Sequence, residues 1–379
     1  MKFATKLIHS GQTIDPRTGA LGMPIYQTST FRQPSVDNFG KYDYARSTNP
    51  SREALEEAVA ELEGGTRGFA FASGMAAISS TLLIFSSGDH LVVCDDVYGG
   101  AYRVLTSLFN RLGIQSTFVD ATNLEAIKAA IRPETKGIYL ETPSNPLLKV
   151  TDLRAVAALA RQRSIITLVD NTFMTPYLQR PLELGCDIVL HSGTKFLNGH
   201  SDVICGFAVV NDQELGNRIR FIQNGFGAIL GPQDSFLTLR GIKTLKIRMD
   251  QSQRSTIKIV EWLAAQKQVT RINYPGLPSH PGYAIQQAQA DGPGAVFSFE
   301  LDSFETTRRL LEGTKLAAFA VSLGGVESII SYPARMSHAA VPREERERKG
   351  IKDTLVRLSV GLEDADDLIA DMADALNNK

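Results

Sequence analysis

The chain has 379 residues, 43% hydrophobic and 21% charged, and its 40 lysines and arginines against 41 aspartates and glutamates leave a formal net charge of −1. That length exceeds the roughly 250 to 300 residues at which one core stops growing, so two lobes are expected. The balanced charge gives no electrostatic ground for a nucleic-acid partner. No run approaches the ~20 apolar residues of a membrane span, and Met1 to Ser10 lacks a leader's apolar core, which predicts a cytoplasmic protein.

In chain order, the first segment has poor periodicity and sets Tyr26, Phe31, Tyr42 and Tyr44 among small and polar residues. Residues 1–48 are therefore expected to form an arm that covers another subunit. From about residue 50 to 210, β-rich runs alternate with amphipathic stretches, the pattern of βαβ units feeding a mainly parallel sheet. The expected strands are 69–72, 90–95, 115–120, 137–141, 165–170, 187–190 and 204–210. The expected helices are 52–63, 74–85, 101–112, 123–131 and 152–163, the last capped by Thr151 or Asp152. Several strands end on polar residues, and in such sheets ligands gather beyond the carboxyl ends. This lobe is expected over residues 49–231. A helical pattern then runs from residue 232 to about Ala265 with Gly241 as its weak point, and strands mix with helices up to Asn378, giving a smaller α+β lobe over 232–379. Cys94, Cys186 and Cys205 read as buried free thiols. The six histidines lack metal-ligand spacing, so no metal is expected.

Four segments carry chemistry. Asp187-Ile-Val-Leu-His-Ser-Gly-Thr-Lys195-Phe-Leu-Asn-Gly-His-Ser201 leads a strand through small hydroxylic residues to one lysine. Desolvation there disfavours the ammonium and leaves a nucleophilic amine, although Lys195 in isolation reads better as a solvated surface charge. Ile-Ile-Thr-Leu-Val-Asp170 puts a carboxylate at a strand end, where a turn or cap role competes. Ser73-Gly74-Met75 opens an apolar helix whose first N–H groups suit a phosphate. Arg357 lies in the run Leu-Val-Arg-Leu-Ser-Val, and its planar fork suits a carboxylate, with a structural ion pair as the competing role.

The Lys195 segment resembles the attachment-site signature of the Cys/Met metabolism family of pyridoxal-phosphate (PLP) enzymes. Further blocks match in order across almost the whole chain: Pro-Ile-Tyr-Gln-Thr-Ser-Thr, Tyr44-Ala-Arg46-Ser-Thr-Asn-Pro-Ser-Arg52, Phe-Ala-Ser73-Gly-Met-Ala, Asp95-Asp-Val-Tyr98-Gly-Gly, Glu141-Thr-Pro-Ser-Asn145-Pro and Val169-Asp170-Asn-Thr-Phe. The resemblance implies an α/β protein of the fold-type-I PLP-dependent transferase class, with a large mainly parallel domain, a smaller α+β C-terminal domain and an N-terminal arm. It implies that Lys195 binds the cofactor as a Schiff base and then acts as general base, while Asp170 pairs with the pyridine nitrogen. Ser73, Gly74, Met75, Ser192 and Thr194 would form the phosphate cup. Tyr98 would stack on the ring and serve the leaving group, and Asn145 would contact the ring hydroxyl. Tyr44 and Arg46 would reach the phosphate of a neighbouring subunit, which implies a dimer with shared sites and favours a homotetramer. Arg357 and Ser322 would hold the substrate α-carboxylate. Arg103, near Tyr98 in sequence, reads either as a distal-carboxylate contact or as a solvent-facing helix arginine.

Within the family, Val-Tyr-Gly-Gly, Leu-Gly-Gly-Val-Glu-Ser and Leu-Val-Arg-Leu-Ser-Val-Gly point toward the bacterial cystathionine γ-lyases, with β-elimination on the side. Gly100 stands where typical methionine γ-lyases carry a cysteine. Val321 stands where many γ-lyases and γ-synthases carry a glutamate, which loosens the case for recognising a distal amino group. Cystathionine γ-synthase and methionine or homocysteine γ-lyase are the alternatives. A nicotinamide dehydrogenase would need a Gly-x-Gly-x-x-Gly opening a helix after the first strand, and none is present.

Overall fold

The computed structural model describes residues 1–11, 14–339 and 341–377, so Asn378, where the last sequence pattern ends, lies outside them. The larger sheet contains β1 (Arg67–Phe71), β2 (His90–Cys94), β3 (Gln115–Val119), β4 (Thr135–Glu141), β5 (Ile166–Asp170), β6 (Ile188–Ser192) and β7 (Gly206–Val210). Its order is β1-β7-β6-β5-β4-β2-β3. Only β7 runs against its neighbours; the other pairs are parallel. The fold is thus α/β with a large, mostly parallel sheet.

Both faces of this sheet are apolar, as parallel sheets covered by helices require. Phe69, Phe71, Ile188, Leu190 and Ala208 join one core with the helix Gly74–Leu82, whereas Ala70, Val189 and Val209 join a second core with the helix Pro50–Glu63. All three cysteines are buried and free. The local signals are ordinary ones: Ser73 caps the helix it precedes, Asp152 rather than Thr151 caps Leu153–Arg161, and Gly64 ends Pro50–Glu63 in the left-handed conformation.

Beyond the sheet the expected single helix from residue 232 divides into Pro232–Ile242 and Leu245–Ala264. The cause is a close approach at Gly241, where a Cβ would lie 2.2 Å from the Asn198 carbonyl oxygen. The Gly241 carbonyl accepts from Arg248 Nη2 at 2.9 Å and from Thr244 Oγ1 at 3.0 Å. Residues 101–112 are also not one regular helix: Gly99–Val104 is α-helical, Leu105–Phe109 widens to a π turn, and Asn110–Leu112 tightens to 3₁₀. The smaller sheet comprises β8 (Val269–Asn273), β9 (Val296–Leu301), β10 (Ala318–Phe319), β11 (Ile329–Ser331) and β12 (Leu355–Ser359), ordered β10-β11-β12-β9-β8. Among the described residues no helix is long and apolar enough to cross a membrane.

Two consequences position the site. Parallel β4, β5 and β6 end side by side, so Glu141, Asp170 and Ser192 reach one edge of the sheet, and the turn after β1 brings Ser73 to the same edge. Because strand side chains alternate, the neighbouring residues Asn171 and His191 point to the opposite face. There His191 Nε2 donates to Glu63 Oε1 at 2.5 Å and Asn171 Nδ2 donates to the same oxygen at 2.9 Å. Gln179 Nε2 donates to Asn171 Oδ1, and Gln289 Nε2 donates to Gln179 Oε1 and the Thr151 carbonyl. This buried network ties the ends of β5 and β6 to the helix behind them.

Candidate active site

Lys195 follows β6 and is half-buried. Its Nζ donates to Ser322 Oγ at 2.6 Å. Burial, with the Arg357 guanidinium adding to it, lowers the Lys195 pKa to about 8, so a substantial fraction of the amine is neutral near physiological pH. Ser322 has φ +93°, a left-handed conformation that costs a non-glycine residue about 1–3 kcal/mol. Two contacts hold it there: the Lys195 bond to its hydroxyl, and a 2.7 Å bond from Arg357 Nη2 to its carbonyl.

Arg357 sits on β12, buried and 4% exposed. Its Nη1 donates to Asn145 Oδ1 at 2.8 Å, while its Nε has no partner among the described residues. Burial lowers its pKa to about 10, against the opposing pull of Glu141 and Tyr98, so it stays cationic. An arginine fixed along one edge with a spare buried donor is suited to a carboxylate ligand.

Asp170 is buried at the end of β5, accepts from the Thr172 N–H at 3.0 Å and has its pKa raised by desolvation. Glu141, its register partner on β4, is equally buried; desolvation and then the neighbouring Asp170 push its pKa well above the usual carboxyl range. Sequence reasoning had passed over Glu141 itself. The available signal was its place at the end of a strand adjacent to the one ending in Asp170.

Glu141 Oε2 accepts from the backbone N–H of Tyr98 at 2.8 Å. The Tyr98 ring is 40% exposed. The two glycines that follow it allow close packing: a Cβ on Gly99 would lie 2.2 Å from the Ser337 carbonyl oxygen, and one on Gly100 would lie 2.5 Å from Tyr98 Cε1 and 2.7 Å from Met75 Sδ. The tyrosine ring and the first turn of Gly74–Leu82 are therefore neighbours. In that turn Ser73 Oγ accepts from Ala76 N, leaving the Gly74 and Met75 N–H groups without acceptors among the described residues. Ser192 lies against them, since a Cβ on Gly74 would come 2.8 Å from its Cβ.

Other expected site residues lie elsewhere. Thr194 turns away: its hydroxyl donates to the Cys205 carbonyl at 3.2 Å and accepts from Cys205 N at 3.0 Å. Tyr44 and Arg46 are exposed, with the Arg46 guanidinium 5.4 Å from the Tyr44 ring centroid and its Nε donating to Asn224 Oδ1 at 3.4 Å. Within one chain Arg46 thus meets the helix Gln213–Phe226, which carries Asn224. Arg103 is exposed and has no hydrogen bond or ion pair among the described residues. Val321 is 66% exposed beside Ser322.

A family model described as Cys/Met metabolism PLP-dependent enzyme matches residues 4–377. Cystathionine β-lyase MetC of Bacillus subtilis (strain 168) is 55% identical, over 98% of this chain and 95% of its own length. Cystathionine γ-lyase of the same organism is 52% identical over 100% of both chains. A crystal structure of cystathionine γ-lyase from Lactobacillus plantarum complexed with L-serine superposes with a TM-score of 0.97 at 48% identity, covering 99% of this chain and 98% of that one.

Proposed function

We propose that this chain, which belongs to the Cys/Met metabolism PLP-dependent enzymes, is a lyase that cleaves a carbon–sulfur bond of L-cystathionine. Membership makes it a PLP-dependent carbon–sulfur lyase; the substrate and the residue roles that follow are our reading. The residues present fit the cofactor. The site offers a partly neutral amine, a buried carboxyl without an ion-pair partner, two unpaired helix N–H groups and an aromatic face beside them. Gly74 and Met75 N–H, with the hydroxyls of Ser73 and Ser192, would hold the phosphate at the helix N-terminus. Asp170 would hold the pyridine nitrogen, Asn145 the ring hydroxyl and Tyr98 the ring face.

When bound, PLP supplies an electron sink for charge developing at the substrate α-carbon. Lys195 would hold the cofactor and, with its amine free, would take the α-proton. Ser322 aims its Nζ, and Arg357 grips the α-carboxylate through its spare Nε. Tyr98 delivers a proton to the leaving sulfur. The Lys195–Ser322–Arg357–Asn145 chain of contacts carries this reading, because it joins the base to the carboxylate anchor through two hydrogen bonds to one serine and a third to Asn145.

β-Elimination, giving homocysteine, pyruvate and ammonia, is the reading we favour. It asks Lys195 for one carbon proton, whereas γ-elimination also requires a proton to be moved at the β-carbon. Val321 offers no carboxylate to the distal ammonium, and relatives that include the 55% identical one are named β-lyases. γ-Cleavage to cysteine, 2-oxobutanoate and ammonia is the second reading, supported by the γ-lyase likenesses above. Mass spectrometry of the products from L-cystathionine separates them. Homocysteine with pyruvate upholds the first reading, cysteine with 2-oxobutanoate the second, and no cleavage overturns both. Val321→Glu is expected to move the product ratio toward γ-cleavage.

The working unit is proposed to be at least a dimer, with two dimers pairing into a homotetramer. Tyr44 and Arg46 would serve a neighbouring subunit's phosphate, and the exposed Leu21, Ile25, Val36 and Phe39 of the arm would be covered there. Sedimentation equilibrium of the loaded protein tests this, and a monomer would overturn it.

A further inference from the structure

Glu141 and Asp170 are Cα partners on parallel strands, so their side chains leave the same face of the sheet about 5 Å apart. They are 6% and 7% exposed. Cys94 and Asp96, from β2 and the turn beyond it, lie near Glu141, as do Tyr139 on its own strand and Arg357 from β12; Tyr139 lies near Asp170, and His191, whose side chain is on the opposite face, acts on Asp170 only through its charge. Among the described residues the one arginine in that group hydrogen-bonds to Asn145 and Ser322 and to no carboxyl. Asp96 already accepts from Ser144 Oγ and Leu147 N. Two adjacent buried carboxyls without a paired cation do not both ionise; one keeps a proton. Desolvation raises the pKa of both, with the second carboxyl adding to the effect on Glu141.

The two acids differ in what they can do for a bound ring. Among the described residues Asp170 hydrogen-bonds only to its own turn, through the backbone N–H and side chain of Thr172, and a carboxylate keeps further lone pairs for a pyridine nitrogen. Glu141 is already engaged by the Tyr98 N–H, a bond that favours the anion but that the carbonyl oxygen of a neutral carboxylic acid also accepts, and desolvation with the neighbouring Asp170 outweighs it. We propose that Glu141 is a positioning residue that carries the pair's single proton in the loaded protein, leaving Asp170 as the anion opposite the pyridine nitrogen, and that it fixes Tyr98 through its backbone amide. The proposal rests on the assignment of Asp170 made above and is independent of which carbon–sulfur bond is cut.

The test uses the full chain loaded with PLP. Glu141→Gln mimics the neutral acid and keeps an oxygen for the Tyr98 N–H, so the PLP dissociation constant should stay within about threefold. Glu141→Ala strands that N–H and should weaken PLP binding about tenfold. Infrared spectra of the loaded wild type should show the carbonyl stretch of a protonated carboxylic acid, which Glu141→Gln removes and Asp170→Asn leaves in place. The proposal falls if Glu141→Gln binds PLP as weakly as Glu141→Ala, or if the wild-type band is missing or survives Glu141→Gln. Should the alanine variant fail to fold by circular dichroism, the infrared comparison still decides. If Asp170→Asn binds PLP as tightly as wild type, the Asp170 assignment falls and this proposal with it.

Discussion

Residues one position apart at the ends of β5 and β6 build two very different polar regions. Behind the sheet, Glu63, His191, Asn171, Gln179 and Gln289 are joined in one continuous run of hydrogen bonds, with Glu63 Oε2 and His191 Nδ1 left over among the described residues. In front, Lys195 and Arg357 are anchored along one side only, Asp170 binds only its own turn, and the Gly74 and Met75 N–H groups are unspent. A continuous buried network fixes the strand ends and is costly to break. An open constellation held by that scaffold keeps its free groups for a ligand, and a site built this way gives up some stability for preorganisation. Substitutions in front should therefore register in chemistry, and those behind in stability.

The sharpest break would come at Lys195. Lys195→Ala is expected to lower turnover of L-cystathionine by about 10³-fold or more, while its melting temperature stays within a few degrees of wild type, because a desolvated amine is lost. Retained turnover would remove Lys195 from the front region altogether. Arg357→Lys should next raise KM about 100-fold, with a smaller change in kcat, because an ammonium cannot reproduce the planar fork; steady-state kinetics on L-cystathionine read both. An unchanged KM would mean that Arg357 serves structure, as the groups behind the sheet do.

Behind the sheet, Glu63→Ala leaves the His191 Nε2 donor unpaired and takes one of its two acceptors from Asn171 Nδ2, which keeps the Gln179 carbonyl, and should cost about 3 kcal/mol in urea unfolding, with kcat within a few-fold of wild type. A large fall in kcat at full stability would dissolve the distinction between the two regions.

The smallest effect concerns pH. The Lys195 pKa is lowered to about 8, so its neutral, nucleophilic form grows as pH rises through that value. The rate at which cofactor-free protein captures PLP, followed by visible absorbance, should climb with a midpoint near 8 and then level. Removing the neighbouring cation in Arg357→Gln should shift that midpoint upward. A midpoint that ignores Arg357 would separate the two residues electrostatically.

Much of this architecture was legible in local signals. The expected strands 115–120 and 165–170 are observed as Gln115–Val119 and Ile166–Asp170, because compact β-rich runs bounded by turns leave little choice. The helix opened by Ser73 was legible from its cap and apolar run. Its position beside Ser192 was not, because β1 and β6 are separated in the sheet by β7, which follows both in sequence. Thr194 looked like a further phosphate donor by adjacency to Lys195, yet its hydroxyl is spent on Cys205. The helix break near Gly241 appeared in sequence only as a weak residue, since its cause is Asn198, far away along the chain.

The sequence by itself determined the βα alternation, the helix caps, the apolar strands and, through ordered motifs, the family, because each depends on neighbouring residues or a continuous pattern. Tertiary structure alone decided that Lys195 meets Ser322 across 127 positions and that Arg357 meets Asn145 across 212. It also set Glu141 beside Asp170, and it turned Asn171 and His191 away from the side to which Asp170 and Ser192 point. The physical reason is that strand order, register and the packing of one lobe on the other fix such contacts, and side-chain alternation then assigns each residue to a face.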